Sequence, residues 1–212
     1  MPSVTNCGSS LKQKSATQPR GFVTVKGIEN LLPIPPLKGT SPMNTPTGLA
    51  FLLLRLLVGL TISTHGAQKL FGAFGGPGFK NALLFFDKQG FSPAWFWLSL
   101  ACLGEFGGGL SLAAGFLTPL GAAGVFGAML MATFKTNWVN GFFIQKGGFE
   151  YTLLILMVSI FFGLAGPGGY SLDALLGVNL PLLVFLGSAL IAIVVVSVGI
   201  LVSNSKPAAK TK

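Results

Sequence analysis

Residues 181–203 read PLLVFLGSALIAIVVVSVGILVS, without a single charge. About 20 such residues are what a helix needs to cross a hydrocarbon core of about 30 Å, so this stretch decides the fold class. Outward from it, further uncharged runs occupy 151–172, 106–134 and 89–104. The run 106–134 is too long for one helix, and Thr118-Pro119 divides it, because proline is tolerated in the first turn of a helix and not in its middle. Spans are therefore predicted near 49–71, 94–116, 119–136, 150–166 and 181–203. The runs are continuously apolar and lack the period-two alternation of barrel strands, which excludes a β-barrel.

Composition agrees. Of 212 residues, 51% are hydrophobic and 9% charged, and the mean hydropathy is +0.72. A soluble domain carries roughly 25% charged residues, so this chain cannot cover a water-facing surface and is read as a multi-pass, all-α integral membrane protein. The net charge of +9 is scattered: five of the 14 Lys/Arg lie in residues 1–48 and three in the last seven. A nucleic-acid footprint needs a clustered basic face on a folded domain, and none is expected.

Residues 1–48 hold seven of the 13 prolines and 11 Ser/Thr, with no helical period, and read as an extended tail that cannot order itself alone. No apolar run follows Met1, so no cleavable signal peptide is expected. The stiff apolar segment Leu31–Leu37 is either a solvated linker or a strip lying along a partner subunit. The organisation expected is a tail over 1–48, a four-helix bundle over 49–178, an additional helix over 179–203 and a basic tail over 204–212. Lys80, Lys88, Lys146 and the C-terminal lysines would share one side, which the positive-inside rule makes the inside, with the N-terminus outside.

Ionisable groups inside a span cost a few kcal/mol each on insertion scales, roughly 2.5–3.5 at the centre, and normally face protein. In the first span Arg55, His65 and Lys69 fall within an arc of about 80°, beside Gly59, Ile62 and Gly66. Glu105 lies near the middle of the second span, in Gly104-Glu105-Phe106-Gly107-Gly108-Gly109. A carboxylate at that depth needs a partner or a proton, and Arg55 or His65 is the expected partner. Glu150 opens the fourth span within reach of Lys69, Lys135 or Lys146. These groups are either structural ion pairs or a proton-exchanging site, with His65 the side chain that titrates most readily near neutral pH.

One histidine and two cysteines, Cys7 and Cys102, supply neither a metal set nor bis-histidine haem ligation. No phosphate-binding glycine motif sits at a strand–helix junction. Phe74-Gly75-Gly76-Pro77-Gly78 reads as a reversing turn. Any electron-transfer role would use a diffusible carrier such as a quinone, or a partner that holds the redox centre.

The polar positions fall within longer motifs. Arg55-Leu56-Leu57-Val58-Gly59, His65-Gly66-Ala67-Gln68-Lys69-Leu70-Phe71-Gly72, Gly104-Glu105-Phe106-Gly107-Gly108-Gly109, Gly115-Phe116-Leu117-Thr118-Pro119, Asn140-Gly141-Phe142-Phe143, Gly147-Gly148-Phe149-Glu150-Tyr151 and Gly166–Asp173 together resemble the DoxX family over roughly residues 50–176. The resemblance implies a four-helix membrane bundle and a subunit of a quinone-linked membrane oxidoreductase. His65 and Glu105 would then exchange protons, and Arg55, Lys69, Glu150, Asn140 and Trp138 would meet the quinone in a groove between spans 1, 2 and 4. The tail and the fifth span lie outside that family core, and where many relatives carry a histidine this chain reads Lys135-Thr136-Asn137-Trp138. The two extensions favour an alternative role, a non-catalytic accessory or assembly subunit of a larger respiratory or photosynthetic membrane complex. A small transporter is less favoured, since no inverted repeat is evident.

Overall fold

A computed structural model describes residues 46–205; of the two expected tails only 46–48 and 204–205 fall within them, as helix, and the rest lies outside. Helix α1 runs Pro46–Phe71, and α2 runs Gly78–Lys88 after a tight reversing turn. Helix α3, Ala94–Cys102, passes through a π-turn at Leu103–Gly107 into α4, Gly108–Ala114. Helix α5, Thr118–Met131, continues into a second π-turn, Ala132–Asn137. Helix α6 spans Glu150–Ala165, α7 Leu172–Leu176 and α8 Leu182–Ser205.

All five expected spans are present as helices, with ends shifted by a few residues. Pro46–Phe71, Ala94–Ala114 and Leu182–Ser205 are each long and apolar enough to cross a membrane, and Glu150–Ala165 is a shorter apolar helix. The chain is an all-α membrane protein: α1, α3–α4, α5 and α6 form the bundle, and α8 is added on its outside against α5. Pro119 sits in the first turn of α5, and Gly115, with φ +65°, ends α4.

Small residues set the register. Helix α1 runs antiparallel to α3–α4, with Gly59 against Gly109 and Ala113 and Gly66 against Phe106; a Cβ at Gly66 would lie 2.5 Å from the Phe106 amide nitrogen. Backbones approach this closely in membrane helices because packing, rather than a hydrophobic drive, holds them together. The main core joins α1, α4, α5, α6 and α8 through Ile62, Leu112, Val125, Phe126, Phe162 and Phe185. A second core packs α2 onto α3 through Ala82, Phe86, Phe91, Trp97 and Leu98.

Candidate functional site

Opposite ends of the bundle hold two separate polar constellations. At the end where α1 begins, Arg55 is 2% exposed. Its guanidinium donates to three main-chain carbonyls: Nε to Ala113 at 3.2 Å, Nη1 to Pro167 at 2.7 Å, and Nη2 to Tyr170. Asp173, also 2% exposed, accepts from the Leu117 and Thr118 amides at 2.8 and 3.0 Å and from the Thr118 hydroxyl at 2.9 Å. Its own amide donates to the Gly115 carbonyl at 2.8 Å. Arg55 and Asp173 lie within electrostatic reach of each other. This knot ties the α4–α5 turn to the α6–α7 loop and holds Leu117 at φ +49°. Gly115 has no room for a side chain, since a Cβ there would sit 2.1 Å from Arg55 Nη1.

The second constellation lies where spans 1, 2 and 4 meet, toward the other end. Lys69 Nζ donates to Glu105 Oε1. The expected partners of Glu105 were Arg55 and His65, and the structure corrects both. Arg55 is about 21 Å along α1 from Lys69 at 1.5 Å per residue, and the Gly66–Phe106 contact brings the π-turn opposite the last turns of α1. A π-turn swings side chains off the regular helical register, and such turns recur at functional sites. Ser63 Oγ reaches the turn's Phe106 carbonyl at 3.4 Å.

Glu105 is 3% exposed, and its second oxygen, Oε2, has no hydrogen-bond partner among the described residues. The Tyr151 hydroxyl, buried within electrostatic reach of Glu105, has none either. Sequence reasoning missed Tyr151, because its relation to Glu105 arises only when α6 packs across the bundle. His65 is exposed at the edge of the α1 stripe, and its ring packs on Tyr151 with centroids 5.6 Å apart. Cys102, one turn before Glu105, is buried within electrostatic reach of Lys69 and Glu105. Lys69, Glu105, Tyr151 and His65 thus form one group.

A groove of about 450 Å³ opens beside Tyr151, lined by Phe142, Ile144, Glu150, Leu154 and Met157. Glu150 makes none of the expected lysine pairs: its Oε2 accepts from the Ile144 amide at 3.1 Å and holds the preceding loop. Asn140 is also a loop brace, donating to the Gly147 carbonyl at 3.2 Å. Trp138 is stacked between Phe134 and Phe149, with centroids 5.5 and 5.0 Å away. A separate apolar cavity of about 440 Å³ lies on the far side of span 2, bordered by Trp97, Gly104, Gly121 and Ala192.

A buried carboxylate oxygen and a buried phenol without partners are costly, each unmade hydrogen bond to a buried polar group being worth about 1–3 kcal/mol. The pair can accept a hydrogen bond at Glu105 and donate one at Tyr151, with a cation alongside. Residues 50–138 of the chain match the family model DoxX, which takes in Arg55, His65, Lys69 and Glu105 and stops short of Tyr151 and α8. No curated protein and no solved structure matches the chain.

Proposed function

We propose, from the match of residues 50–138 to the DoxX family model, an integral membrane subunit of a quinone-linked redox complex. The observation that carries this reading is the unpartnered pair Glu105 Oε2 and Tyr151 OH, buried beside Lys69 at the meeting of spans 1, 2 and 4. A quinone head group presents carbonyl oxygens that accept a hydrogen bond, and its reduced form presents hydroxyls that donate one. Tyr151 would donate to the first and Glu105 accept from the second. Reduction of a quinone takes up two electrons and two protons; a partner subunit's redox centre supplies the electrons. Glu105 holds or releases a proton within the bundle, and exposed His65, packed on Tyr151, exchanges it with the surroundings. The groove beside Tyr151 gives the ring a lateral way in from the bilayer. Arg55, Asn140 and Glu150 act on this reading as braces of the scaffold.

The exposed lysines gather at the end where α8 finishes, and the positive-inside rule sets that end inside and the start of α1 outside. A second reading, an accessory or assembly subunit, is favoured by α8, which lies beyond the matched residues and turns most of its apolar surface outward. One experiment separates the two. Host membranes carrying the unmodified chain, His65→Ala or Glu105→Gln are assayed for quinone reduction, and their complexes are sized in a gentle detergent. Loss of activity with complexes of unchanged size supports the redox reading. Unchanged activity in both variants overturns it, and complexes that fall apart only when α8 is removed support the accessory role.

A further inference from the structure

Among the described residues, the charge at the two ends of the bundle is unequal. Around the Arg55–Asp173 knot both ionisable side chains are buried. At the opposite end Lys80, Lys88 and Lys146 are exposed and make no hydrogen bond or ion pair among the described residues. Lys135 donates to Asn204 at 2.8 Å and lies over the Phe91 ring, and Lys69 is held by Glu105. Among the described residues Asp87 is the one exposed acid nearby, and Glu150 is half-buried and bonded to Ile144.

Helix α2 gives this charge a setting. At 11 residues it is too short to span a bilayer, and it anchors to the bundle by Ala82 and Phe86. Lys80, Leu84, Asp87 and Lys88 share its outward face at helical spacing. Phe79, Leu84 and Phe85 remain exposed on it. Around it the same end exposes Phe74, Trp95, Trp138 and Phe143, each more than half accessible. Tryptophans settle at the level of lipid head groups, and lysine stems extend from there to place the ammonium in the polar layer.

We propose that this end is a docking surface for the anionic phospholipid head groups of one leaflet, with Lys80 and Lys88 on α2 and Lys146 on the α5–α6 loop as its contacts. Charge complementarity carries the choice of partner: three uncommitted cations project into the head-group layer, with one exposed carboxylate against them. The attraction is worth about a fivefold preference per lysine near an anionic surface, and it is screened by salt.

The chain carries its own reporter, since its three tryptophans, Trp95, Trp97 and Trp138, all lie toward this end. The full chain is placed in phosphatidylcholine vesicles. Tryptophan quenching is then compared between brominated phosphatidylglycerol and brominated phosphatidylcholine at equal mole fractions. The expected result is a preference for the anionic lipid of up to about a hundredfold, about fivefold for each of the three lysines, that shrinks in 0.5 M salt and falls by about fivefold for each of Lys80→Gln and Lys88→Gln. Both lysines are exposed, so the variants fold, and the salt titration tests the unmodified chain independently. Equal quenching by the two lipids, a preference indifferent to salt, or one that survives replacement of all three lysines overturns the proposal.

Discussion

Replacement of Asp173 by alanine tests the knot that closes one end of the bundle. The carboxylate accepts three hydrogen bonds, from Leu117 N, Thr118 N and Thr118 Oγ1, at 2.8, 3.0 and 2.9 Å. Without it, the first amides of α5 lose their acceptor, and Arg55 is left as a buried cation facing only carbonyl dipoles. Hydrogen bonds to a charged group are worth about 1.5–3 kcal/mol each, but three on one group are not additive. Discounted for that non-additivity, the loss of three hydrogen bonds to one buried carboxylate gives an expected cost of about 3–5 kcal/mol for Asp173→Ala. Asp173→Asn keeps one acceptor oxygen and loses the charge, so its loss should be about half as large. The assay is reversible unfolding in mixed micelles with rising SDS, read by circular dichroism. An Asp173→Ala variant within about 0.5 kcal/mol of the unmodified chain would refute the reasoning, since that is the range of a surface change.

Other perturbations follow from the same contacts. Gly115→Ala combines a left-handed backbone with a Cβ 2.1 Å from Arg55 Nη1, and should cost about 2 kcal/mol or more in the same titration. Lys69→Met leaves Glu105 buried without its cation and should destabilise by about 3–5 kcal/mol, whereas Lys69→Met with Glu105→Leu should recover most of it; a full double-mutant cycle measures the coupling. Gly163→Ala drives a methyl to within 2.2 Å of the Phe185 ring and should cost about 1–3 kcal/mol, a loss that Phe185→Leu relieves. If that pair is additive in the unfolding assay, Phe185 of α8 does not pack on Gly163 of α6.

What the sequence made legible was hydropathy and facing. The five predicted spans, the proline that splits 106–134 and most of the stripe of Arg55, Gly59, Ile62, Gly66 and Lys69 correspond to elements of the fold, whereas His65, read on the same stripe, lies exposed at its edge. A helical wheel reports which face a residue shares and says nothing of its height, so Arg55 and His65 read as partners for Glu105, and Lys69, about 21 Å along the helix from Arg55, is passed over although it makes the pair. Height is set by where α1 meets the π-turn, a contact between Gly66 and Phe106 that only the folded backbone displays. Helix α2 escaped because it is short, amphipathic and lies between two spans. Tyr151 escaped because nothing in its own segment reveals that its hydroxyl is buried near a carboxylate from another helix. Asp173 stood at the end of a recognisable motif, but its work is done through main-chain amides of Leu117 and Thr118, which leave no mark in side-chain composition.

The central claim is that Glu105 and Tyr151 meet a quinone head group. The most direct measurement is the dissociation constant of a short-chain benzoquinone and of its hydroquinone for the full chain in nanodiscs, compared among the unmodified protein, Glu105→Gln and Tyr151→Phe. Saturable binding is the expected result, with the hydroquinone weakened about tenfold or more by Glu105→Gln, a hydrogen bond to a charged group being worth about 1.5–3 kcal/mol, and the benzoquinone weakened several-fold by Tyr151→Phe, a neutral one being worth about 0.5–1.5 kcal/mol. No saturable binding, or equal affinity in all three proteins, would contradict it.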